Sequence, residues 1–62
     1  MNLPQCILLQ MSIESGNVYF WDGGEFQLDP RKATTFDNWT YALAVRKRYP
    51  GNDYYYYRIQ NI

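Results

Sequence analysis

The stretch Tyr54-Tyr55-Tyr56-Tyr57-Arg58-Ile59 decides how this chain folds. Four consecutive tyrosines make physical sense only as a β-strand. In a strand, successive side chains point to opposite faces. The run therefore splits into two pairs. Ile59 points into the core and takes Tyr55 and Tyr57 with it. Tyr54, Tyr56 and Arg58 are left facing outward. Rigid amphipathic rings beside an arginine are the residue types that dominate binding hot spots.

Working back from that strand, Pro50 and Gly51 stop a helix predicted over about 38–48. Asp37 is the expected N-cap, with Phe36 at N′ and Tyr41 at N4 as a hydrophobic staple. At helical spacing, Ala42, Val45 and Tyr49 form the stripe that meets the sheet. Trp39 and Tyr41 flank that stripe, and Leu43 and Lys47 point to solvent. Before the helix lies a connecting segment over 30–36, anchored by Ala33 and Phe36. Asp29-Pro30 closes a short strand over 25–28, because proline cannot donate to a ladder.

The first half of the chain reads as two more strands. Residues 5–13 alternate, with Ile7, Leu9, Met11 and Ile13 on one face and Cys6, Leu8, Gln10 and Ser12 on the other. Glu14-Ser15-Gly16-Asn17 is a turn. Val18-Tyr19-Phe20-Trp21 is the second strand, and Asp22-Gly23-Gly24 a tight hairpin turn. The expected fold is α+β, β-β-β-α-β. It is one small domain over 1–62, with a four-stranded antiparallel sheet and one short helix on one face. The other face has no cover. Leu8 and Gln10 are expected there with Tyr54, Tyr56 and Arg58. Tyr19 and Trp21 are assigned outward as well, because a phenol and an indole N–H tolerate water better than Val18 and Phe20 do.

Composition narrows the function classes. Aromatic residues make up 19% of the 62-residue chain, which lets dense ring packing stand in for a disulfide or a metal. Cys6 has no internal disulfide partner and the chain contains no histidine. A zinc site and the commonest general base are thereby excluded, and Cys6 reads as an inert structural thiol. Asp22 and Glu25 at a glycine turn offer too few oxygens for a calcium loop. No phosphate-binding or dinucleotide glycine pattern occurs. The chain reads as a non-enzyme that uses no cofactor and no metal.

Six basic and six acidic side chains give zero net charge. Nucleic-acid binders carry a basic excess, and mimics of DNA an acidic one. Arg46-Lys47-Arg48 splays around a helix end, where cations complement the macrodipole. Arg31 and Lys32 form a second basic pair in a loop. These five residues are the candidate contacts should nucleic acid be the ligand. Cys6-Ile7-Leu8-Leu9 is too short for a signal-peptide core or a membrane span, so no membrane partner and a cytoplasmic location are expected. Asn38-Trp39-Thr40 matches a glycosylation sequon by coincidence only.

The layout of Tyr19-Phe20-Trp21 before a Gly-rich turn, then Leu28-Asp29-Pro30-Arg31-Lys32-Ala33 leading to Phe36, a short helix and a closing aromatic strand carries a resemblance. It resembles the small accessory proteins of phages and mobile elements, anti-CRISPR inhibitors among them. The resemblance implies a domain that docks on a host protein complex without catalysis, in the host cytoplasm. It carries over no functional residues. The candidate partner-binding residues are those read from the strands: Tyr54, Tyr56, Arg58, Tyr19 and Trp21. A single-stranded nucleic-acid module and a homodimer seam are the alternative readings.

Overall fold

A computed structural model describes residues 5–62. The elements follow in the order β1 (Cys6–Ser12), β2 (Val18–Trp21), β3 (Phe26–Gln27), a 3-10 turn at Pro30–Lys32, α1 (Trp39–Arg46) and β4 (Tyr55–Asn61). The strands form one antiparallel sheet in the order β3-β2-β1-β4. The fold is thus α+β, as the β-β-β-α-β pattern predicts. The chain's last strand pairs with its first along all seven residues, from Cys6 opposite Asn61 to Ser12 opposite Tyr55.

Short-range chemistry explains the turns. Gly16 sits at φ 75°, and its N–H donates to the Ser12 carbonyl. Gly23 sits at φ 113° in the β2–β3 connection. There the Asp22 carboxylate accepts the Gly24 N–H (3.0 Å), the Glu25 N–H (2.8 Å) and the Gln27 Nε2 (3.0 Å). Asp22 is an organiser of the turn. These donors hold its pKa below the ordinary carboxylate range, the two backbone N–H groups first. Asp29 is lowered in the same way by the side chain and then the backbone N–H of Arg31.

A folded-state pKa below the unfolded one stabilises the fold wherever the carboxylate is ionised in both states. That contribution is complete at neutral pH and is lost as pH falls through the depressed values. The urea midpoint should therefore stay flat from neutral to mildly acidic pH and drop only in the carboxylate range. Asp22→Asn should flatten part of that drop when midpoints are compared across pH.

The core lies between α1 and one face of the sheet. Its buried residues are Cys6 and Leu8 of β1, Trp21 of β2, Phe36 of the connecting segment and Ala42 of α1, and Phe26, Val45, Tyr57 and Ile59 pack against them. Small side chains at Ala42 and Cys6 are both fully buried, which fits a helix seated close to β1. Trp21 stacks on Phe36 with ring centroids 5.5 Å apart. The sheet curls around this face. Phe26 of β3 and Tyr57 of β4, from its opposite edges, bring their rings to 5.5 Å, and Tyr49 meets both at 5.1 and 5.3 Å.

Phe36 anchors the connecting segment as expected, by exchanging two backbone bonds with Cys6 (3.0 and 2.8 Å). Ala33 is half-buried. The helix is shorter than 38–48, and its cap is Asn38 rather than Asp37. Asn38 is extended (φ −141°, ψ 126°), and its Oδ1 accepts the Thr40 N–H at 2.8 Å. The Asp37 carboxylate instead accepts from Gln5 Nε2 at 2.8 Å. No staple joins Phe36 to Tyr41, because Phe36 enters the core and Tyr41 stays exposed. At the other end, Arg48 and Tyr49 donate back three residues, to Val45 and Arg46. That tighter winding closes the helix before Pro50.

Candidate functional site: the uncovered sheet face

The tyrosine run alternates as its sequence predicts. Tyr55, Tyr57 and Ile59 are half-buried on the helix side, while Tyr54, Tyr56 and Arg58 are exposed. The phases of β1 and β2 are the reverse of the expectation. Leu8 and Trp21 lie in the core with Ile59, and Gln10 donates to the Tyr57 hydroxyl at 3.0 Å. Tyr19 opposes Gln10 and so shares that inner face. Tyr19 and Trp21 therefore do not line the uncovered face. The solubility argument that sent Trp21 outward fails because its bulk is needed against Phe36. Its indole N–H is buried there without a hydrogen-bond partner.

The uncovered face is consequently built from the most apolar phase of the first strand. Register fixes its rows. Leu9 lies between Phe20 on β2 and Arg58 on β4, with Gln27 beyond Phe20. Met11 lies between Val18 and Tyr56, and Ile7 opposes Gln60. Ile13 and Tyr54, joined by the Ile13 N–H to the Tyr54 carbonyl at 2.9 Å, extend the surface past the strand ends. No helix among the described residues lies over this side. Leu9 is nevertheless only 6% exposed, shielded by its own neighbours, whereas Tyr56 is 51% and Tyr54 67% exposed. The surface thus has a dry aliphatic centre, an aromatic margin and a single cation, Arg58. At the β3 edge, Gln27 Nε2 donates to the Asp22 carboxylate at 3.0 Å, so the acidic groups gather at the side opposite Arg58.

The other basic candidates fall elsewhere. Arg31 grips Asp29 with two bonds of 3.1 Å. Lys32 is exposed beside it. Lys47 and Arg48 are exposed at the end of α1. Arg46 turns toward β4, where its Nε donates to the Tyr57 carbonyl at 3.3 Å. It joins Trp39 and Leu43 of α1, and Tyr57, Arg58 and Ile59 of β4, around an open groove of about 180 Å³. Trp39, Leu43 and Arg46 were not read as a unit in the sequence, although their i, i+4, i+7 spacing is the signal that unites them.

Cys6 is fully buried, and burial pushes its thiol pKa up. No group of three or more His, Cys, Asp or Glu side chains is close enough to hold a metal ion among the described residues. No helix among them is long and apolar enough to cross a membrane. No protein-family profile, curated protein or solved structure matches the chain.

Proposed function

We propose that this chain is a small binding module that works without catalysis and docks a second, different protein on its uncovered sheet face. One observation carries the reading: Ile7, Leu9, Met11, Val18 and Phe20 share the side away from α1. Dense apolar surface of that kind, rimmed by polar groups, marks interaction sites. Tyr54 and Tyr56 supply adaptable margin contacts, and Arg58 supplies orientation. Charge orients the partner. Arg58 stands at the β4 edge of the face, while the Asp22 and Glu25 carboxylates gather on Gln27 at the β3 edge. A protein with an apolar patch and an acidic residue opposite Arg58 fits that arrangement. Docking on a host complex, as the likeness to phage accessory proteins implies, is one setting for such a module.

The test is capture from a lysate of the gene's native host cell with three immobilised baits. The baits are the wild-type chain, Met11→Asp on the face, and Lys47→Ala on the helix as a surface control. A partner held by wild type and Lys47→Ala but lost by Met11→Asp supports the reading. A partner held equally by all three refutes it. Light scattering on the purified chain separates the homodimer alternative: a wild-type dimer that Met11→Asp returns to monomer assigns the face to a second copy. Oligonucleotide binding at low salt, weakening steeply as salt rises, would favour the nucleic-acid alternative.

A further inference from the structure

The face is not the only unfinished surface. β4 is an edge strand of seven residues, with no proline and no lysine to blunt it. Edges of that length are templates for another strand unless something protects them. Its ladder with β1 tells which backbone groups are free. The Tyr54 carbonyl accepts from Ile13, and the Ile62 N–H donates to Gln5. By the alternation of an antiparallel pair, the even-numbered residues of β4 bond to β1. Tyr55, Tyr57, Ile59 and Asn61 turn their backbone groups to the open side.

Part of that edge is already occupied. Asn52 takes both backbone groups of Tyr55, donating its own N–H to the carbonyl and accepting the Tyr55 N–H on Oδ1, each at 2.9 Å. Arg46 covers the Tyr57 carbonyl. At the far end, Trp39 Nε1 donates to the Asn61 side chain at 2.7 Å, and the Asn61 carbonyl accepts from Gln60 Nε2. Between these clamps, the Ile59 N–H and carbonyl have no partner among the described hydrogen bonds. The groove bordered by Trp39, Leu43 and Arg46 opens beside them.

We propose that the free edge of β4 around Ile59 accepts an acidic, extended peptide segment as an additional strand, with one apolar side chain of that segment seated in the groove between α1 and β4. Backbone pairing supplies affinity in such strand addition, and a pocket for alternate side chains supplies specificity. Trp39 and Leu43, at 43% and 38% exposure, are the apolar wall such a side chain would cover. Charge fixes the chemistry of the segment. Helix and strand together carry Arg46 and Arg58 and no carboxylate, and Lys47 and Arg48 follow directly on α1. Two β4 edges paired about a twofold axis would set these cations against each other, which disfavours a second copy here. This site shares Arg58 with the uncovered face, but its backbone edge and the Trp39–Leu43–Arg46 wall belong to the helix side, and it stands without the open-face reading.

The test uses the intact chain, isotope-labelled for NMR, and a short capped probe peptide with a central Val-Leu-Val flanked by glutamates. Three control peptides accompany it: lysine replaces glutamate in one, the central residue is N-methylated in the second, and leucine becomes serine in the third. The acidic peptide should slow exchange of the Ile59 amide, and each control should bind at least about tenfold more weakly. Arg46→Glu, a change at an exposed side chain, should reduce the preference for the acidic peptide over the lysine peptide by at least about fivefold. Met11→Asp should leave peptide binding unchanged, so this proposal and the open-face reading fail separately. An Ile59 amide untouched by the acidic peptide at millimolar concentration overturns the proposal. So do shifts confined to Leu9, Met11 and Phe20, or Ile59 protection that rises with protein concentration in the absence of peptide.

Discussion

Replacing Trp21 with alanine should remove about half or more of this protein's stability. A chain of 62 residues has about 3–9 kcal/mol of stability in total. Truncating a buried tryptophan costs about 3–5 kcal/mol, from lost transfer energy and from the void left behind. Trp21 stacks on Phe36 and belongs to the same buried cluster as Leu8, Cys6 and Ala42. No other residue of β2 is buried, so nothing nearby can take its place. Cys6 provides an internal reporter. Its thiol is fully buried and its pKa raised, so native protein should react with a thiol reagent only through unfolding. In Trp21→Ala the thiol should label at least about a hundredfold faster than in wild type, with the urea midpoint sharply lowered. Trp21→Phe should stay folded, because the indole N–H it removes has no partner to lose. Slow labelling of Cys6 in Trp21→Ala would show that the core does not depend on this ring.

Met11→Asp should keep the fold and weaken the partner at least about thirtyfold, corresponding to ~2 kcal/mol at a central contact position. Met11 is half-exposed between Val18 and Tyr56 on the side away from α1. In the free protein its aspartate stays hydrated, and the cost is about that of a poor strand former, ~1 kcal/mol or less. In a complex the same carboxylate would lie in a dry apolar contact without a cation directly opposite, which is expensive. Tyr54→Ala, at the exposed margin, should cost only a few-fold. Titrating the captured partner into each variant, with dichroism to confirm the fold, distinguishes these results. Equal affinity for Met11→Asp and wild type would take the face out of the interface.

The contrast between these two positions also shows what the sequence made legible. The strand from Tyr54 onward was readable because Arg58 and Ile59 break the symmetry of the tyrosines and set the phase. Turns at Gly16 and Gly23 and the stop at Pro50 were readable because their chemistry is local. The phases of β1 and β2 were not. In β1 the alternation marks Ile7, Leu9, Met11 and Ile13 as the apolar phase, and the fold turns that phase away from the helix, seating Cys6 and Leu8 in the core instead. Only the tertiary need for small residues under Ala42, and for a large ring against Phe36, decides the matter. The helix cap moved by one residue for a similar reason, since Gln5, distant in sequence, engages Asp37. The candidate site inherits that division. The outward exposure of Tyr54, Tyr56 and Arg58 was legible in sequence, whereas Leu9, Met11, Val18 and Phe20 were assigned to the wrong side. The groove at β4 depends on strand order, which no local pattern encodes.

That a partner covers the uncovered face is tested most directly by the chemistry of Met11 itself. Its thioether is half-exposed, and mild peroxide converts it to the sulfoxide. Oxidation of Met11 can be followed by mass spectrometry in the free chain and in the purified complex with the captured protein. Docking on the open face predicts that Met11 oxidises readily in the free chain and is protected in the complex. Oxidation of Met11 at the same rate in both would contradict it.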